Sequence, residues 1–316
     1  MESITLGQNA LSVTPLCLGT WAWGDKLFWS YGNDYGSEQV EQAFNAAIEA
    51  GTTFFDTAEV YGLGLSEELL GRFMKKTDKD IQIATKFGPL PWRFSAESVS
   101  EALTESLKRL QVEQIALYQV HWPFTFFMSQ ETLMNALATE VEKGRIKTIG
   151  VSNYSQAQMQ EAHQILARRG IPLAVNQVRY SLLTRQVESQ GIIATAKQLG
   201  VTILAYSPLA QGLLTGKYTV ENSINPTGAR KIDPRFSKEN LQKIEPVISL
   251  LRTIGEKYNR TPAQVALNWL IAQGNVIPIS GVKTAEQVKQ NAGALGWKLT
   301  DDEIVQLNEV SRPWLN

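Results

Sequence analysis

Cysteine and histidine are scarce in this sequence. The chain contains one cysteine, Cys17, and two histidines, His121 and His163. A single cysteine cannot form a disulfide within the chain, and neither histidine has a Cys or His partner at the spacing of a metal site. The composition therefore predicts no disulfide framework and no metal centre. In its apolar surroundings, Cys17 is expected to be a small buried strand residue rather than a reactive thiol.

Long apolar runs and an excess of one charge are also missing. The chain carries 30 Lys and Arg residues against 31 Asp and Glu residues, for a formal net charge of -1. Such a balance offers no general attraction for nucleic acid or for an anionic membrane. No run is long enough to span a bilayer, and the start lacks a basic segment followed by an apolar stretch. We therefore expect a cytoplasmic protein without nucleic-acid or membrane partners.

The chain does contain ample apolar material for a core. Of its 316 residues, 43% are hydrophobic and 19% are charged, which shows no compositional sign of disorder. The length exceeds the roughly 250 residues of a typical barrel domain but is short for two domains. We predict one globular domain over residues 1–316, and the sequence leaves its oligomeric state open.

Short β-rich runs recur eight times and alternate with segments of helical spacing. The helical segments, such as Glu97–Leu110 and Gln186–Leu199, are long enough to cross back over a sheet. Eightfold alternation favours an α/β fold, the closed (β/α)8 TIM barrel. The predicted strands are Thr14–Gly19, Thr53–Thr57, Gln82–Phe87, Ala116–His121, Thr148–Ser152, Ala174–Val178, Thr202–Tyr206 and Val276–Ser280.

Two features interrupt this alternation. The runs Ile4–Leu6 and Leu11–Val13 flank a short turn and predict an N-terminal β-hairpin that closes the barrel floor. Two long βα loops, Asp25–Ser37 and Lys217–Glu239, follow the first and seventh strands. Loops of this length inside a compact domain commonly cover a binding site.

Polar residues follow one another at the carboxyl ends of three successive predicted strands. Asp56 lies at the end of the second strand, and Tyr61 comes five residues later. Lys86 and His121 lie at the ends of the third and fourth strands. Lys86 would favour the tyrosinate and so lower the pKa of Tyr61, while Asp56 would keep Lys86 charged. Taken singly, an Asp–Lys pair is more typical of a barrel salt bridge and the histidine of a packed core residue. Taken jointly, the four residues predict a proton-transfer site.

Two glycine-containing segments do not match the phosphate motifs that they suggest. Residues 62–67 lack the third glycine of a dinucleotide fingerprint, and residues 212–218 are too short for a P-loop, so neither a Rossmann domain nor an NTPase follows. The second segment nevertheless follows strand seven, where barrels often bind phosphate. After strand eight, Thr284 and Gln287 have capping-box spacing and predict a helix start beside Lys283, which is a site that attracts anions. An ordinary solvated lysine is the alternative.

The order of several motifs resembles the aldo-keto reductase superfamily over essentially the whole chain. The motifs are Leu18-Gly19-Thr20-Trp21, Asp56-Thr57-Ala58 with Tyr61-Gly62, Ser66-Glu67, Leu70-Gly71, Thr85-Lys86, His121-Trp122-Pro123, Gly150-Val151-Ser152-Asn153, Asn176-Gln177, Tyr206-Ser207-Pro208-Leu209 and Gly281-Val282-Lys283 leading to Asn291. Each is weak alone, and their order makes the set specific. The segment Gly19–Gly24 most resembles a cyanobacterial and plant branch that includes pyridoxal reductase.

This resemblance implies an NADP(H)-dependent oxidoreductase that reduces an aldehyde or ketone to an alcohol by hydride transfer. Asp56, Tyr61, Lys86 and His121 would form its catalytic tetrad, with Tyr61 as the general acid and His121 polarising the developing oxyanion. The family often has Arg near Lys283, which makes the preference for NADPH over NADH less clear than nucleotide binding itself.

The resemblance also implies the cofactor contacts. Tyr206 would stack on the nicotinamide, and Lys283 would pair with the adenosine 2′-phosphate. The carboxamide would be held by Ser152, Asn153 and Gln177. The pyrophosphate would lie on Ser207, Leu209, Gln211, Gly212 and Leu213, and the adenosine among Gln287, Gln290 and Asn291. The remaining implied contacts are Gly19, Thr20, Trp21, Asp56 and Gly281.

Aromatic residues are concentrated in or beside the loops that follow strands one, three and four. Because these segments lack periodicity, a pocket is a better interpretation than a core stripe. We expect an aromatic mouth for a small-molecule carbonyl substrate of flat or apolar shape, pyridoxal being one candidate. The residues predicted to bind the substrate are Trp23, Trp29, Trp92 and Trp122, beside Trp21, Phe28, Phe124, Phe126 and Phe127.

Two other functions remain compatible with the sequence. Lys86 at a barrel strand end could form a Schiff base with a carbonyl substrate, as in an aldolase. A non-enzymatic module that senses a nicotinamide nucleotide, resembling a potassium-channel β subunit, would bind NADPH without turnover. The chain has no extended tail for such a partner, which favours the reductase.

Overall fold

A closed barrel of parallel strands forms the centre of the molecule. The computed structural model describes residues 3–8, 11–220 and 233–316. In these ranges the barrel strands follow chain order and the last pairs with the first, which confirms the predicted TIM barrel. After the hairpin strands β1 (Ile4–Thr5) and β2 (Ser12–Val13), the barrel strands are β3 (Cys17–Gly19), β4 (Phe54–Asp56), β5 (Gln82–Phe87), β6 (Ile115–Val120), β7 (Ile146–Ser152), β8 (Leu173–Arg179), β9 (Thr202–Tyr206) and β10 (Val276–Gly281).

Amphipathic helices surround the barrel. In α3, for example, Val99, Leu103 and Leu110 recur at helical spacing and are buried. None of the helices within the described ranges is long and apolar enough to cross a membrane. The helices are α1 (Ser37–Glu49), α2 (Leu65–Met74), α3 (Ala96–Leu110), α4 (Gln130–Glu142), α5 (Gln156–Ala167), α6 (Gln186–Ser189), α7 (Ile192–Leu199), α8 (Lys238–Tyr258), α9 (Pro262–Ile271), α10 (Ala285–Ala292) and α11 (Asp301–Val310).

Burial on both faces of the strands determines which side chains reach the barrel mouth. Strands β5 and β6 are buried along their whole length, as expected for a parallel barrel that has helices outside and side chains inside. Phe55 and Tyr118 pack outward in the large cluster beneath the helices, whereas Phe54 and Leu117 fill the interior. Because successive side chains alternate between the faces, Asp56 shares the inward face with Phe54.

The N-terminal hairpin closes the amino-terminal end of the barrel, as predicted. Leu6, Leu11 and Val13 are buried in the cluster that fills the interior. Gly7 N donates to Thr202 Oγ1 at 2.8 Å. Gly7 has a φ of +57°, and a Cβ there would lie 2.8 Å from a backbone atom of β8, so the turn requires glycine. Residues 9 and 10 of the turn lie outside the described residues.

The first barrel strand is shorter than predicted. It begins at Cys17 rather than Thr14, because Pro15 has no backbone N–H for the ladder and Thr14 Oγ1 instead donates to Leu16 O at 2.9 Å. Cys17 is fully buried, and burial raises the pKa of its thiol well above the usual value. Cys17 is thus a small buried strand residue, as predicted.

The two long loops are described to different extents. The first, Asp25–Ser37, is complete, and the Tyr35 hydroxyl anchors it by donating to Ala22 O at 2.5 Å. In the second, Lys217–Glu239, residues 221–232 lie outside the described residues. Helix α8 begins inside this predicted range, so the loop is shorter at its end than the sequence indicated.

Close packing of α2 against the end of α3 provides a test of the fold. A Cβ at Gly71 would lie 2.6 Å from the carbonyl oxygens of both Arg109 and Leu110. Because backbone atoms cannot swing aside, we expect Gly71→Ala to lower the free energy of unfolding by about 3 kcal/mol, measured by urea denaturation.

A matched control is Gly144→Ala. Gly144 has a φ of +75° and open space around the added methyl group, so only the backbone conformation is penalised. That penalty is about 1 kcal/mol. Equal losses in the two variants would contradict the packing explanation for Gly71.

Candidate active site

The four residues predicted for proton transfer meet at the carboxyl end of the barrel. Lys86 Nζ donates to Asp56 Oδ1 at 2.5 Å and to the carbonyl oxygen of Thr57 at 2.7 Å. The same nitrogen lies 3.5 Å from Tyr61 Oη. The rings of Tyr61 and His121 meet edge to face, with centroids 5.8 Å apart. A charged pair, a phenol and an imidazole therefore share one small volume.

A tight turn brings Tyr61 back over the barrel. The turn at residues 61–64 has left-handed backbone angles at Gly62 and Leu63, and Tyr61 N donates to Ala58 O. A Cβ at Gly62 would lie 2.7 Å from the carbonyl oxygen of Gly24, so a side chain there would displace the turn. Glycine at this position thus determines where the Tyr61 phenol lies.

The pKa of Lys86 is raised in spite of its burial. Burial by itself lowers the pKa of an amine, but the charge of Asp56 and the nearby Tyr61 outweigh it. The side chain is fully buried and its pair with Asp56 is almost completely shielded from solvent. Lys86 is consequently a fixed cation at neutral pH.

The pKa of Tyr61 corrects one expectation from the sequence. Burial raises the pKa of this phenol, and the Lys86 charge, which lowers it, is the smaller effect. The predicted direction of the Lys86 contribution was right, but the predicted net lowering was wrong because desolvation of the phenolate dominates. The phenol therefore carries its proton at neutral pH, as a general acid must.

His121 is held neutral. Burial, followed by the charge of Lys86, lowers the pKa of His121 to about 2. Its ring stacks on Trp122 with centroids 3.8 Å apart, and its buried Nδ1 has no hydrogen-bond partner among the described residues. A neutral imidazole can donate from one ring nitrogen and accept at the other.

A residue that the sequence analysis did not select completes the surroundings of Asp56. Gln119 Nε2 donates to Asp56 Oδ2 at 3.1 Å, and Gln177 Nε2 donates to the same oxygen at 2.8 Å. Gln119 pairs in register with Lys86 on the neighbouring strand. The signal in the sequence was a single amide within the apolar strand β6, two residues before His121.

The residues predicted to hold a carboxamide lie side by side at the ends of β7, β8 and β9. Tyr206 Oη donates to Asn153 Oδ1 at 2.9 Å, and Asn153 Nδ2 donates to Ser152 Oγ at 3.1 Å. Ser152 Oγ donates to the carbonyl oxygen of Gln177 at 3.0 Å. The structure thus brings the three residues predicted to hold a carboxamide together with Tyr206, which was predicted to stack on the nicotinamide.

The segment after β9 forms a cradle of left-handed residues. Ser207, Ala210, Gln211 and Gly212 have φ values of 53°, 47°, 57° and 99°. Ala210 N and Gly212 N donate to Ser207 O and Leu209 O within the segment. The remaining backbone N–H groups of such a turn can bind an anion. Leu213 is buried in the core, so only its backbone is available to a ligand.

Helix α10 begins beside Lys283, as predicted. Thr284 Oγ1 accepts from Gln287 N at 3.3 Å, and Gln287 Oε1 accepts from Lys283 N at 2.7 Å. Lys283 Nζ donates to Trp29 O at 3.3 Å and lies 4.7 Å and 4.5 Å from the ring centroids of Trp29 and Tyr35. Lys283 is therefore not an ordinary solvated lysine, because its ammonium group contacts the first long loop.

The other predicted adenosine contacts lie on the same helix. Gln290 is exposed and its side chain donates to Glu286 Oε1 at 2.9 Å, whereas Asn291 is buried. At the end of the neighbouring strand β3, Thr20 is fully buried, and its hydroxyl group is hydrogen-bonded to the Ser66 hydroxyl and to the carbonyl oxygen of Asp56. Thr20 is thus part of the support beneath Asp56, and its contact with a cofactor stays a prediction, as do those of Gly19 and Gly281.

The aromatic residues divide into two groups. Trp21 contacts Phe28, Trp29 and Tyr61, and it is 43% exposed at the mouth. In the second group, Trp122 contacts Phe124, and Phe124 contacts Phe126. Phe94 contacts Phe127, and Trp92, which is close to Phe94 in sequence, is exposed.

The structure corrects the prediction for Trp23. Its side chain is fully buried, packs on Phe55 and Phe73 and donates from Nε1 to Val282 O at 2.9 Å. Trp23 therefore belongs to the core outside the barrel and cannot line a substrate pocket. The prediction was wrong because Trp21 and Trp23 lie close together in one loop, but their side chains point to opposite sides.

A fixed cation paired with a carboxylate, a protonated phenol and a neutral imidazole thus lie together at the carboxyl end of a barrel, which is where barrel enzymes have their active sites. The chain belongs to the Aldo/keto reductase family, whose sequence model matches residues 15–312. The four residues predicted for proton transfer and those predicted to hold a carboxamide all lie within the matched range.

Individual relatives cover almost the entire chain. It is 40% identical to the chloroplastic pyridoxal reductase of Arabidopsis thaliana over 96% of this chain and 85% of that protein. It is 34% identical to the NADP(+) aldo-keto reductase yakc of Schizosaccharomyces pombe over 87% of this chain and 83% of that one. A solved glycerol dehydrogenase of Gluconobacter oxydans superimposes with a TM-score of 0.85 at 29% identity, covering 99% of this chain and 96% of its own. Because the Arabidopsis relative is chloroplastic, the cytoplasmic location stays a prediction.

The depressed pKa of His121 makes the stability of the protein sensitive to acid. Above the usual histidine pKa, both folded and unfolded chains carry a neutral His121. Below it, only the unfolded chain takes up the proton, so the free energy of unfolding falls by about 1.4 kcal/mol per pH unit. We expect His121→Gln to remove this contribution when urea denaturation is compared between about pH 4 and pH 8. An unchanged pH dependence would show that His121 titrates normally.

Proposed function

We propose that the protein is an NADP(H)-dependent reductase of aldehydes or ketones, with Tyr61 as the general acid. The observation that carries this proposal is the position of the buried Lys86 ammonium, 2.5 Å from Asp56 Oδ1 and 3.5 Å from Tyr61 Oη. Burial keeps the Tyr61 phenol protonated in the free protein in spite of the Lys86 charge. The same charge would stabilise a tyrosinate once the proton has moved. Bound NADPH would supply the hydride that reduces the carbonyl carbon.

The side chains of this protein divide the proton chemistry among them. As negative charge develops on the carbonyl oxygen, Tyr61 gives up its proton and the resulting tyrosinate faces Lys86. Asp56 keeps Lys86 charged and in place through their ion pair. Neutral His121 would donate a hydrogen bond to the same oxygen from one ring nitrogen, which would stabilise the developing charge.

The nucleotide would lie across the ends of β7 to β10. Ser152, Asn153 and Gln177 offer hydrogen-bonding groups for a carboxamide, and the ring of Tyr206 is anchored beside them for stacking. The left-handed cradle at residues 207–212 suits the pyrophosphate. The start of α10 with Lys283 suits the 2′-phosphate, and the name of the Schizosaccharomyces pombe relative includes NADP(+).

The substrate proposal rests on the aromatic mouth. Trp21 contacts the Tyr61 ring, and Trp122 stacks on the His121 ring, so apolar surfaces flank both groups that would touch the carbonyl oxygen. Flat aromatic or apolar aldehydes match these surfaces, because aromatic faces favour stacked or edge contacts. The 40% identity to a pyridoxal reductase supports pyridoxal as one member of that class.

The state of Lys86 argues against an aldolase. A Schiff base requires a neutral amine that can attack a carbonyl group. The Lys86 side chain is fully buried, hydrogen-bonded to Asp56 and Thr57, and its pKa is raised. A nucleotide sensor without turnover is the other alternative, and a turnover assay separates it from a reductase.

The decisive assay follows NADPH oxidation with aromatic, aliphatic and pyridoxal-type aldehydes. We expect turnover with the flat aromatic group, and we expect Tyr61→Phe to reduce kcat by about 10²–10⁴-fold, the typical contribution of a general acid. The dissociation constant of NADPH should remain unchanged, since the substitution removes only the hydroxyl group. Tight NADPH binding without turnover on any carbonyl would favour the sensor, and full activity of the variant would contradict the role of Tyr61.

The preference for NADPH provides a second test. Lys283→Ala should weaken NADPH binding by about tenfold while changing NADH binding little, because only NADPH carries the 2′-phosphate charge. Lys289→Ala, an exposed lysine on the same helix, is the control and should affect neither ligand. Equal weakening of NADPH and NADH by Lys283→Ala would show that Lys283 acts only through its contacts with Trp29 and Tyr35.

A further inference from the structure

Three side chains from non-adjacent strands form a closed hydrogen-bonded group around one oxygen of Asp56. Gln119 on β6 and Gln177 on β8 both donate to Asp56 Oδ2, at 3.1 Å and 2.8 Å. Gln177 Nε2 also donates to Gln119 Oε1 at 3.2 Å. All three residues are buried, so each polar atom needs a protein or ligand partner.

The charge of Asp56 determines the orientation of both amides. The oxygen and nitrogen of a glutamine side chain are nearly equal in shape, so partners decide which end points where. A flipped Gln119 would direct its oxygen at the Asp56 carboxylate and its nitrogen at the Gln177 nitrogen, and both contacts would be repulsive. Gln119 must therefore present its oxygen to Gln177.

Gln177 is oriented in turn. Its two N–H groups are used by Asp56 and by Gln119, which leaves Oε1 on the other side of the amide. Within the described ranges, no group donates to Gln177 Oε1. The carbonyl oxygen of the same residue already accepts from Ser152 Oγ. Gln177 Oε1 is thus an oriented acceptor next to the residues that would bind the carboxamide.

The intervening strand makes room for this arrangement. Strand β7 lies between β6 and β8, and it carries Gly150 in register with Gln119. A Cβ at Gly150 would lie 3.0 Å from Gln119 Cγ and 3.2 Å from Val175 Cβ. Any side chain at Gly150 would crowd the path by which Gln119 reaches Gln177, so this glycine fits a direct contact between the two amides.

We infer that Gln119 is a positioning residue that holds the Gln177 amide with its oxygen ready to accept a hydrogen bond from the carboxamide of the nicotinamide ring. The inference rests on the proposed function and deepens it. Gln119 need not touch the cofactor or the substrate. It acts through Gln177, and it links the group that would bind the nicotinamide to the carboxylate that keeps Lys86 charged.

Removing both hydrogen bonds of Gln119 tests this role. Gln119→Met has a similar length but neither donor nor acceptor, so Gln177 loses one of its two fixed partners. We expect the NADPH dissociation constant to rise by about tenfold, measured by quenching of tryptophan fluorescence. Adenosine 2′,5′-bisphosphate, which lacks the nicotinamide, should bind as it does to the unsubstituted protein.

A second substitution gives an effect that a merely structural residue would not show. In Gln119→Glu, the protonated carboxyl group reproduces the original pattern, because its O–H donates to Asp56 and its C=O accepts from Gln177. Two carboxyl groups in such contact raise the pKa of one of them. We expect nearly normal NADPH affinity at about pH 6 and a decline toward that of Gln119→Met by about pH 9.

A matched control is Gln130→Met. Gln130 is also buried and its side chain donates to Gln158 O and Glu161 Oε2, at 3.2 Å and 2.8 Å, but it lies on α4 outside the barrel. This change should lower stability without altering the affinity for NADPH or its pH dependence. The comparison separates loss of a buried amide in general from loss of Gln119.

Each possible result supports or overturns the inference. The inference would be overturned if Gln119→Met weakened the binding of NADPH and of the bisphosphate equally. It would also be overturned if Gln119→Met bound NADPH as the unsubstituted protein does. If Gln119→Met does not fold, the pH dependence of Gln119→Glu decides alone, and an NADPH affinity that follows the unsubstituted protein at every pH would overturn it. If the unsubstituted protein does not bind NADPH, the proposed function fails first, and that outcome is distinguishable from failure of the inference.

Discussion

The buried carboxylate of Asp56 is the constraint on which the site depends. A charge that is 3% exposed inside a barrel is costly unless every oxygen has a partner. Lys86 satisfies one oxygen, and Gln119 and Gln177 satisfy the other. The orientation of these neighbours follows from that requirement. Asp56 is therefore better understood as the organiser of the site than as an acid or base.

Burial shifts the pKa values of the two groups that would contact a substrate oxygen in opposite directions. Desolvation raises the pKa of Tyr61 and lowers that of His121, so both are neutral hydrogen-bond donors at physiological pH. The Lys86 cation lowers both pKa values. It contributes little net charge to the mouth because Asp56 is paired with it. The site therefore presents neutral groups to a carbonyl substrate. It would still stabilise the negative charge on Tyr61 once the phenol has given up its proton.

The two ends of the proposed nucleotide site have different supports. The carboxamide end is built on strands and is rigid through the hydrogen bonds from Tyr206 to Asn153 and from Ser152 to Gln177. The end near α10 is tied to the first long loop, since Lys283 contacts both Trp29 and Tyr35. A ligand phosphate at Lys283 would compete with those contacts. Binding of a nucleotide there would therefore be coupled to the conformation of the first long loop.

The order of the elements and the positions of the four predicted tetrad residues could be inferred from the sequence. Successive parallel strands in a barrel end at the same rim, and Asp56, Lys86 and His121 lie at those ends. The tertiary structure decided what depends on side-chain direction and on the degree of burial. Trp23 is a core residue rather than a pocket residue, because neighbouring side chains in a loop can face opposite sides. The role of Gln119 could be recognised only in the fold, which brings side chains of β6 and β8 to one carboxylate oxygen of Asp56 on β4. The net pKa of Tyr61 followed from desolvation, whose size a linear sequence does not contain.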